Sequence, residues 1–368
     1  MFKSKPDYIL SLSVFALSVF GVIMISSASI VKSYEVTGGA SNNLYLYRQL
    51  VALGIGILAW ILVQRIDYHV YKKYSLWFLV ASFILLGLVF IPGLGRDYGA
   101  TRWIGIGGFI FQPSELVKLF IAIYLAAWLS RSKENNKSFW KGFVPFVIIM
   151  AAIGALILKE PDLGTAVVIF AIGLSIFFVA GSNIWYLFAS VPGFLVVLWF
   201  LIRMAPYRWT RFMAYLNPEK DVLGIGYHIN QAILAIGSGG LWGLGFGASK
   251  QKYNFLPEAA SDSIFAIICE ELGFIRALLV ILVYVLIAIR GYSIAKKVPD
   301  DFGRLLAIGI TTWFIFQALV NLSAMLGLLP LTGVPLPFVS YGGSSLVISL
   351  MGVGILLNIS KHANRVRE

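Results

Sequence analysis

The sequence predicts an all-α polytopic membrane protein with about ten transmembrane helices, and three observations carry that prediction. Hydrophobic residues make up 59% of the 368 residues and charged ones only 12%, with a mean hydropathy of +0.85, far from the composition of an ordinary soluble domain. Apolar runs close to the roughly 20 residues that a helix needs to cross the hydrocarbon core recur along nearly the whole chain. Cys269 is the only cysteine, so neither an intramolecular disulfide nor a thiolate metal cluster can supply the stability.

The first run, Tyr8 to Ser29, is too long for a signal-peptide core and no small-residue cleavage pattern follows it. It reads as a retained span, with the mature chain beginning near Met1. Further runs bounded by charges or turn residues fall at 47–64, 74–92, 112–130, 142–158, 163–180, 184–203, 264–289, 304–328 and 344–360. Ten spans put both termini on one side. That side collects Lys3, Lys5, Arg65, Lys72, Lys73, Arg131, Lys133, Lys137, Lys141, Arg290, Lys296, Lys297, Arg304, Lys361, Arg365 and Arg367. The short loops opposite hold only Lys32, Arg48, Arg96, Arg102 and Lys159. By the positive-inside rule both termini are cytoplasmic. The net charge of +12 is then largely a topology signal. A nucleic-acid binder would need those cations on one soluble surface, which the pattern excludes.

The chain reads as one integral-membrane unit over 1–368, with two unusual connections. Residues 204–261 form a long extracytoplasmic loop with amphipathic pieces and Gly-rich turns, and loops of that length usually have a task. Residues 329–343 are apolar, yet Pro330, Pro335, Pro337, Gly333, Gly342 and Gly343 forbid a regular helix. Such a segment reads as re-entrant, because irregular backbone at membrane depth survives only under protein cover or along a cavity. No internal repeat of the kind found in repeat-built transporters is evident.

Ionisable residues in or beside spans are site candidates by default. Glu115 and Lys118, in QPSELVKL, lie one helical turn apart, as a buried structural pair or as substrate-side groups. Glu160 and Asp162, in KEPDLGT, flank a proline, and Asp162 can serve either as a helix cap or in function. Arg208, Arg211, Lys250 and Lys252 bring cations that the positive-inside rule does not explain. A lipid phosphate or pyrophosphate would account for them, as would snorkelling to ordinary headgroups. Ser340 to Ser345, SYGGSS, sets Ser340, Gly342 and Gly343 ahead of a helix N-terminus, where free N–H groups can hold an anion. The sharpest candidate is Asp262, where the long loop meets the eighth span, either as a reactive carboxylate or as a helix cap assisted by Ser261. In a continuous helix Glu270 would share its face better than Glu271, which would pair elsewhere. His69, His228 and His362 fall in separate regions, so no His-based zinc site or Ser-His-Asp triad is assembled. No P-loop pattern is present.

At these motifs the chain resembles the SEDS family (shape, elongation, division and sporulation), the FtsW/RodA peptidoglycan polymerases. SSAS in the first span, QPSELVKL, KEPDLGT, GYHINQAILAIGSGGLWGLGFGASKQKYNFLPE, SDSIFAIICEELGF and LPLTGVPLPFVSYGGSS occur in the family's order across nearly the whole chain. SKQKYNFLPE is more similar to the division-type FtsW branch than to the elongation-type RodA branch, with the sporulation branch closer still. The resemblance implies a SEDS (GT-C-like) fold and a glycosyltransferase that extends glycan strands from lipid II, the undecaprenyl-pyrophosphoryl disaccharide-pentapeptide, on the outer face of the cytoplasmic membrane at the septum. It places the family's essential aspartate on Asp262. Its implied partners are a class B penicillin-binding protein and other divisome membrane proteins. Where the family usually reads His-Thr-Asp-Phe, this chain departs, with Ala260, Ser261, Asp262 and Ser263.

Such a reaction needs one base for the incoming hydroxyl, for which Asp262 is the candidate, and positive charge for a departing diphosphate. Arg102, Lys118, Arg208, Arg211, Lys250, Ser340, Gly342 and Gly343 are the expected diphosphate and substrate contacts. A Mg²⁺ or Mn²⁺ ion is the expected cofactor, with no nucleotide or organic group. Glu115, Asp162, Glu258 and Glu270 are the expected supporting residues. A lipid II translocator, an elongation-type polymerase and a non-catalytic scaffold are the competing readings.

Overall fold

The computed structural model describes residues 5–91, 95–97, 101–106, 109–217 and 224–363. Lys3, Arg365 and Arg367, part of the charge asymmetry, lie outside the described residues, as does the Arg96 side chain. Every expected span is met by a helix. These are α1 (Tyr8–Ala28), α2 (Leu44–Arg65), α3 (Ser75–Leu88), α4 (Pro113–Leu129), α5 (Val144–Lys159), α6 (Leu163–Val179) and α7 (Ile184–Met204). After α8 (Pro206–Leu216) and α9 (Ile225–Ser238) in the long connection come α10 (Ile264–Lys297), α11 (Asp301–Met325) and α12 (Gly343–Ala363). Among the described residues, seven have the length and apolarity to cross a bilayer: α1, α2, the stretch Phe139–Lys159 that ends in α5, α7, α10, α11 and α12. The other three are shorter, with α3 at 14 residues and α4 and α6 at 17 each.

Local signals set the helix starts. Asp7 caps α1 by accepting from Leu10 N, Asp162 caps α6 through Thr165 N, and Pro113 sits in the first turn of α4, where its missing N–H costs nothing. α11 and α12 form the buried centre: α12 packs along α2 and α11 lies against α10, α6 and α4. By contrast, α7 buries none of its described residues. One departure from an all-helical reading is a small antiparallel meander between α3 and α4, with β1 (Gly95–Asp97), β2 (Thr101–Ile106) and β3 (Phe109–Phe111) in the order β1-β2-β3. Strands of three to six residues are too short to show a period of two in a chain this apolar.

α10 is a single run in sequence but is broken at Gly273, whose φ of 79° and ψ of 174° are open only to glycine. The Gly-rich stretch after α9 fills the break. Leu244 N and Gly245 N donate to the carbonyls of Glu270 and Glu271, both at 3.0 Å, while Phe274 N and Ile275 N donate to Gly240 and Leu241 at 2.9 and 3.3 Å. Four backbone groups freed by the kink are thus satisfied by the loop, as a low-dielectric setting demands.

The segment between α11 and α12 is irregular and largely buried, with Val334, Leu336, Phe338, Val339 and Ser340 all inside. Its carbonyls are met by side chains from the helices around it. Gln317 Nε2 donates to Pro335 O and Asn321 Nδ2 to Val334 O, each at 2.8 Å, and Tyr284 Oη donates to Pro337 O. Protein cover of this kind is the condition under which irregular backbone is stable among apolar helices.

Candidate functional site

The long connection, the segment after α11 and the turn before α10 converge on Asp262. Four consecutive residues there are each held from a different direction. Tyr341 N donates to Ala260 O at 2.9 Å, Ser340 Oγ to Ser261 O at 2.7 Å and Asn321 Nδ2 to Asp262 O at 2.8 Å. Ser263 Oγ contacts both Pro257 O and His228 Nε2. Rigid support of this sort keeps a reacting group in one geometry. α10 begins at Ile264 after an N-cap at Ser263 that makes no side-chain cap bond, so Asp262 does not cap the helix.

The Asp262 carboxylate rests beside Gly333, where a Cβ would stand 3.4 Å from Oδ2. Gly333 itself has a φ of +69°, so a side chain there would be strained as well as crowding the carboxylate. Burial pushes Asp262 up to about 7, with Glu258 and Asp162 adding to the rise and Arg102 and Arg211 opposing it. A carboxyl that titrates near neutrality can take up a proton at working pH.

Arg102, on β2, reaches Asp162 at 3.9 Å. Asp162 also accepts from Gln112 Nε2 at 3.2 Å and from Thr165 Oγ1 at 2.8 Å, so it is both a helix cap and an anchor for Arg102. Glu258 pairs with Lys32 at 2.9 Å and accepts from Ser261 Oγ at 2.7 Å. Burial alone would raise Glu258, but Ser261 and Lys32 outweigh it and hold the group below the usual carboxylate range.

Other expected contacts are engaged elsewhere. Lys118 is 1% exposed and its ammonium lies 2.8 Å from Glu115 and 2.7 Å from Gln317, the arrangement of the structural pair rather than of a diphosphate ligand. Arg208 donates to Leu158 O at 2.9 Å and Leu201 O at 3.3 Å, serving carbonyls near the ends of α5 and α7. Lys250 is exposed, and its backbone N–H donates to Glu270 at 2.9 Å. Lys252, expected to face an anion, is buried against Glu271 at 3.1 Å. Ser340 is occupied by Ser261 O and Leu336 N, Gly342 N donates to Gln49 Oε1 at 3.3 Å, and Gly343 is the first residue of α12. Glu270 anchors the 249–250 stretch instead of sharing a face with Asp262, because Asp262 sits in a turn ahead of α10 and helical periodicity does not extend to it. Glu271 pairs elsewhere, with Lys252 and Ser27.

Sequence reasoning missed two features. His69 and His362, far apart in the chain, approach to 6.0 Å between ring centroids, yet among the described residues no three His, Cys, Asp or Glu side chains converge as a metal set. His228 meets Ser263 beside Asp262, a contact that no spacing rule reveals.

The sequence and the fold are similar to those of known proteins. The FtsW/RodA/SpoVE family, described as cell cycle proteins, matches residues 8–365. The chain belongs to the SEDS family. It is 41% identical over 364 residues to stage V sporulation protein E of Bacillus subtilis (strain 168), covering 98% of each chain. It is 42% identical to the probable peptidoglycan glycosyltransferase FtsW of Geobacter metallireducens, covering 97% of this chain and 95% of that one. Among solved structures it superposes on a chain from a peptidoglycan synthase complex, determined to show the coordination of polymerization and crosslinking, with a TM-score of 0.79 and 28% identity over 99% of both chains. It also superposes on the rod shape determining protein RodA of Thermus thermophilus with a TM-score of 0.70 and 29% identity over 96% of both.

Within this SEDS fold, Glu160 is a second unusual carboxyl. It is 0% exposed and, among the described residues, neither oxygen has a hydrogen-bond partner. Burial, reinforced by Asp162 and opposed by Arg102, pushes it from about 4.5 up to about 8. The folded protein therefore holds a proton that the unfolded chain has already released, and stability falls as pH rises across that window. Glu160→Gln is expected to remove this contribution to the slope, leaving the Tm near native at pH 5 and raising it above native at pH 8.5. Thermal melts in detergent at the two pH values check it, and an unchanged slope counts against it.

Proposed function

We propose that this chain is a peptidoglycan glycosyltransferase that polymerises lipid II on the outer face of the cytoplasmic membrane, with Asp262 as the base. The single observation that carries the reading is the Asp262 carboxylate. It is poised near pH 7, without a side-chain hydrogen bond among the described residues, backed by fixed backbone and faced by Arg102 and Arg211. The charge asymmetry of the loops supports an outer position for this end of the bundle. The names of the relatives support the same substrate class.

In the proposed reaction the 4-hydroxyl of one sugar attacks the anomeric carbon of another. A C–O bond forms as the bond to the lipid diphosphate breaks, and the hydroxyl proton passes to Asp262. The diphosphate leaves as an anion and needs positive charge rather than a proton. Arg102 and Arg211 supply that charge; Asp162 fixes Arg102. A single displacement inverts the anomeric carbon.

Among the described residues no three ligating side chains converge as a dedicated cation cage; a Mg²⁺ or Mn²⁺ ion would instead be held by one or two carboxylates, of which Asp162 stands beside Arg102, together with the diphosphate oxygens of the substrate, and would offset the departing charge. No step is routed through a metal.

Within the family the SKQKYNFLPE wording favours septal wall synthesis, with a class B transpeptidase as partner. The purified protein with that partner, supplied with lipid II and Mg²⁺, is expected to make glycan strands of inverted configuration. Retained configuration overturns the single displacement. Transfer of labelled lipid II across vesicles without polymer replaces the enzyme by a translocator.

A further inference from the structure

Ser263 is fully buried, and its Oγ lies 2.9 Å from Pro257 O and 2.7 Å from His228 Nε2. A hydroxyl has one proton, and a carbonyl oxygen can only accept. Ser263 therefore donates to Pro257, and His228 must donate to Ser263 through Nε2–H. Burial, with Arg211 working against Glu258, pushes the imidazole down to about 4. It is neutral at working pH, protonated on Nε2 and bare on Nδ1.

This two-bond chain joins α9 to the 257–263 turn at the residue next to Asp262. The other ties to the turn are the Lys32–Glu258 ion pair and donors from Tyr341, Ser340 and Asn321, which hold carbonyls. His228 instead holds a side chain, the hydroxyl of Ser263.

We propose that His228 is a positioning residue, which acts through the Ser263 hydroxyl to fix the Asp262 carboxylate against the incoming sugar hydroxyl. The inference rests on the reading of Asp262 as base. It is tested in the full-length protein with its partner and lipid II, using His228→Ala, His228→Gln, Ser263→Ala and the His228→Ala/Ser263→Ala double variant. A glutamine amide places its Nε2–H close to where the imidazole donor stands. His228→Ala and Ser263→Ala are each expected to lower kcat about 10- to 100-fold with the KM for lipid II unchanged, the size of effect a small misplacement produces. The double variant is expected to be no worse than either single one, and His228→Gln to recover kcat to within about threefold of native. Hydrogen exchange over 257–264 should quicken in the alanine variants and stay native in His228→Gln.

A glutamine variant as slow as alanine overturns the proposal, as do losses that multiply in the double variant, an effect confined to KM, or unaltered exchange in His228→Ala. Asp262→Asn is run beside them. Full polymer output from that variant removes the base assignment, and the exchange measurement then still decides whether His228 holds the turn.

Discussion

Asp262→Asn is expected to cut polymer formation about 10²- to 10⁴-fold, the usual contribution of a positioned general base, while leaving partner binding native and the Tm at or above native, since the amide removes a carboxylate that burial disfavours. The fold does not lean on this carboxylate. The helix that follows is capped at Ser263 and not by Asp262, the neighbouring elements hold the backbone of the turn, and an amide fills the same volume. The native enzyme should also show an acid limb. A base acts only when deprotonated, so the rate rises with pH and levels off above about 7, where burial together with Glu258 and Asp162 has placed the group against the pull of Arg102 and Arg211. Single-turnover polymerisation of lipid II across pH 5 to 9 measures both effects. Undiminished product from the amide variant, or a limb centred near the ordinary aspartate value, would remove Asp262 from the mechanism.

Lys252→Met is expected to be the most damaging change in the long connection. The ammonium is buried, with Gly247 O at 2.6 Å, Ser27 Oγ at 2.9 Å and Glu271 Oε1 at 3.1 Å. Removing it strands the Glu271 carboxylate in a dry interior, a loss of roughly 3–5 kcal/mol. Because the same stretch supplies the hydrogen bonds across the Gly273 kink, the damage should spread to the 239–256 loop. Glu271→Gln in the Lys252→Met background takes away the stranded charge and should restore most of the Tm. Melting and hydrogen exchange over 239–256 read both variants, and a double variant as unstable as Lys252→Met would show that charge is not the cause.

The helices were legible because crossing a bilayer imposes a length and an apolarity that leave few alternatives, and charged or turn residues mark where each run stops. Capping was legible for the same local reason: Asp162 and Pro113 act within three residues of themselves. The small sheet was not, since its strands are shorter than any readable period. The kink at Gly273 was hidden too, because glycine is common in membrane helices and only the loop crossing at Leu241–Gly245 requires that conformation.

The site divides along the same line. Asp262 stood out in the sequence because a carboxylate at the edge of an apolar run is costly unless it is used. Which cations face it did not, since Lys118, Arg208 and Lys252 carry the same charge as Arg102 and Arg211 and differ only in what surrounds them. Composition and periodicity thus determined the membrane architecture and singled out Asp262 as a candidate, through constraints that act along one stretch of chain. The tertiary structure alone decided which charges are buried pairs and which lie near Asp262, and it brought His228 to Ser263. Partners in a low-dielectric interior are chosen by proximity in space, and a linear sequence does not record that.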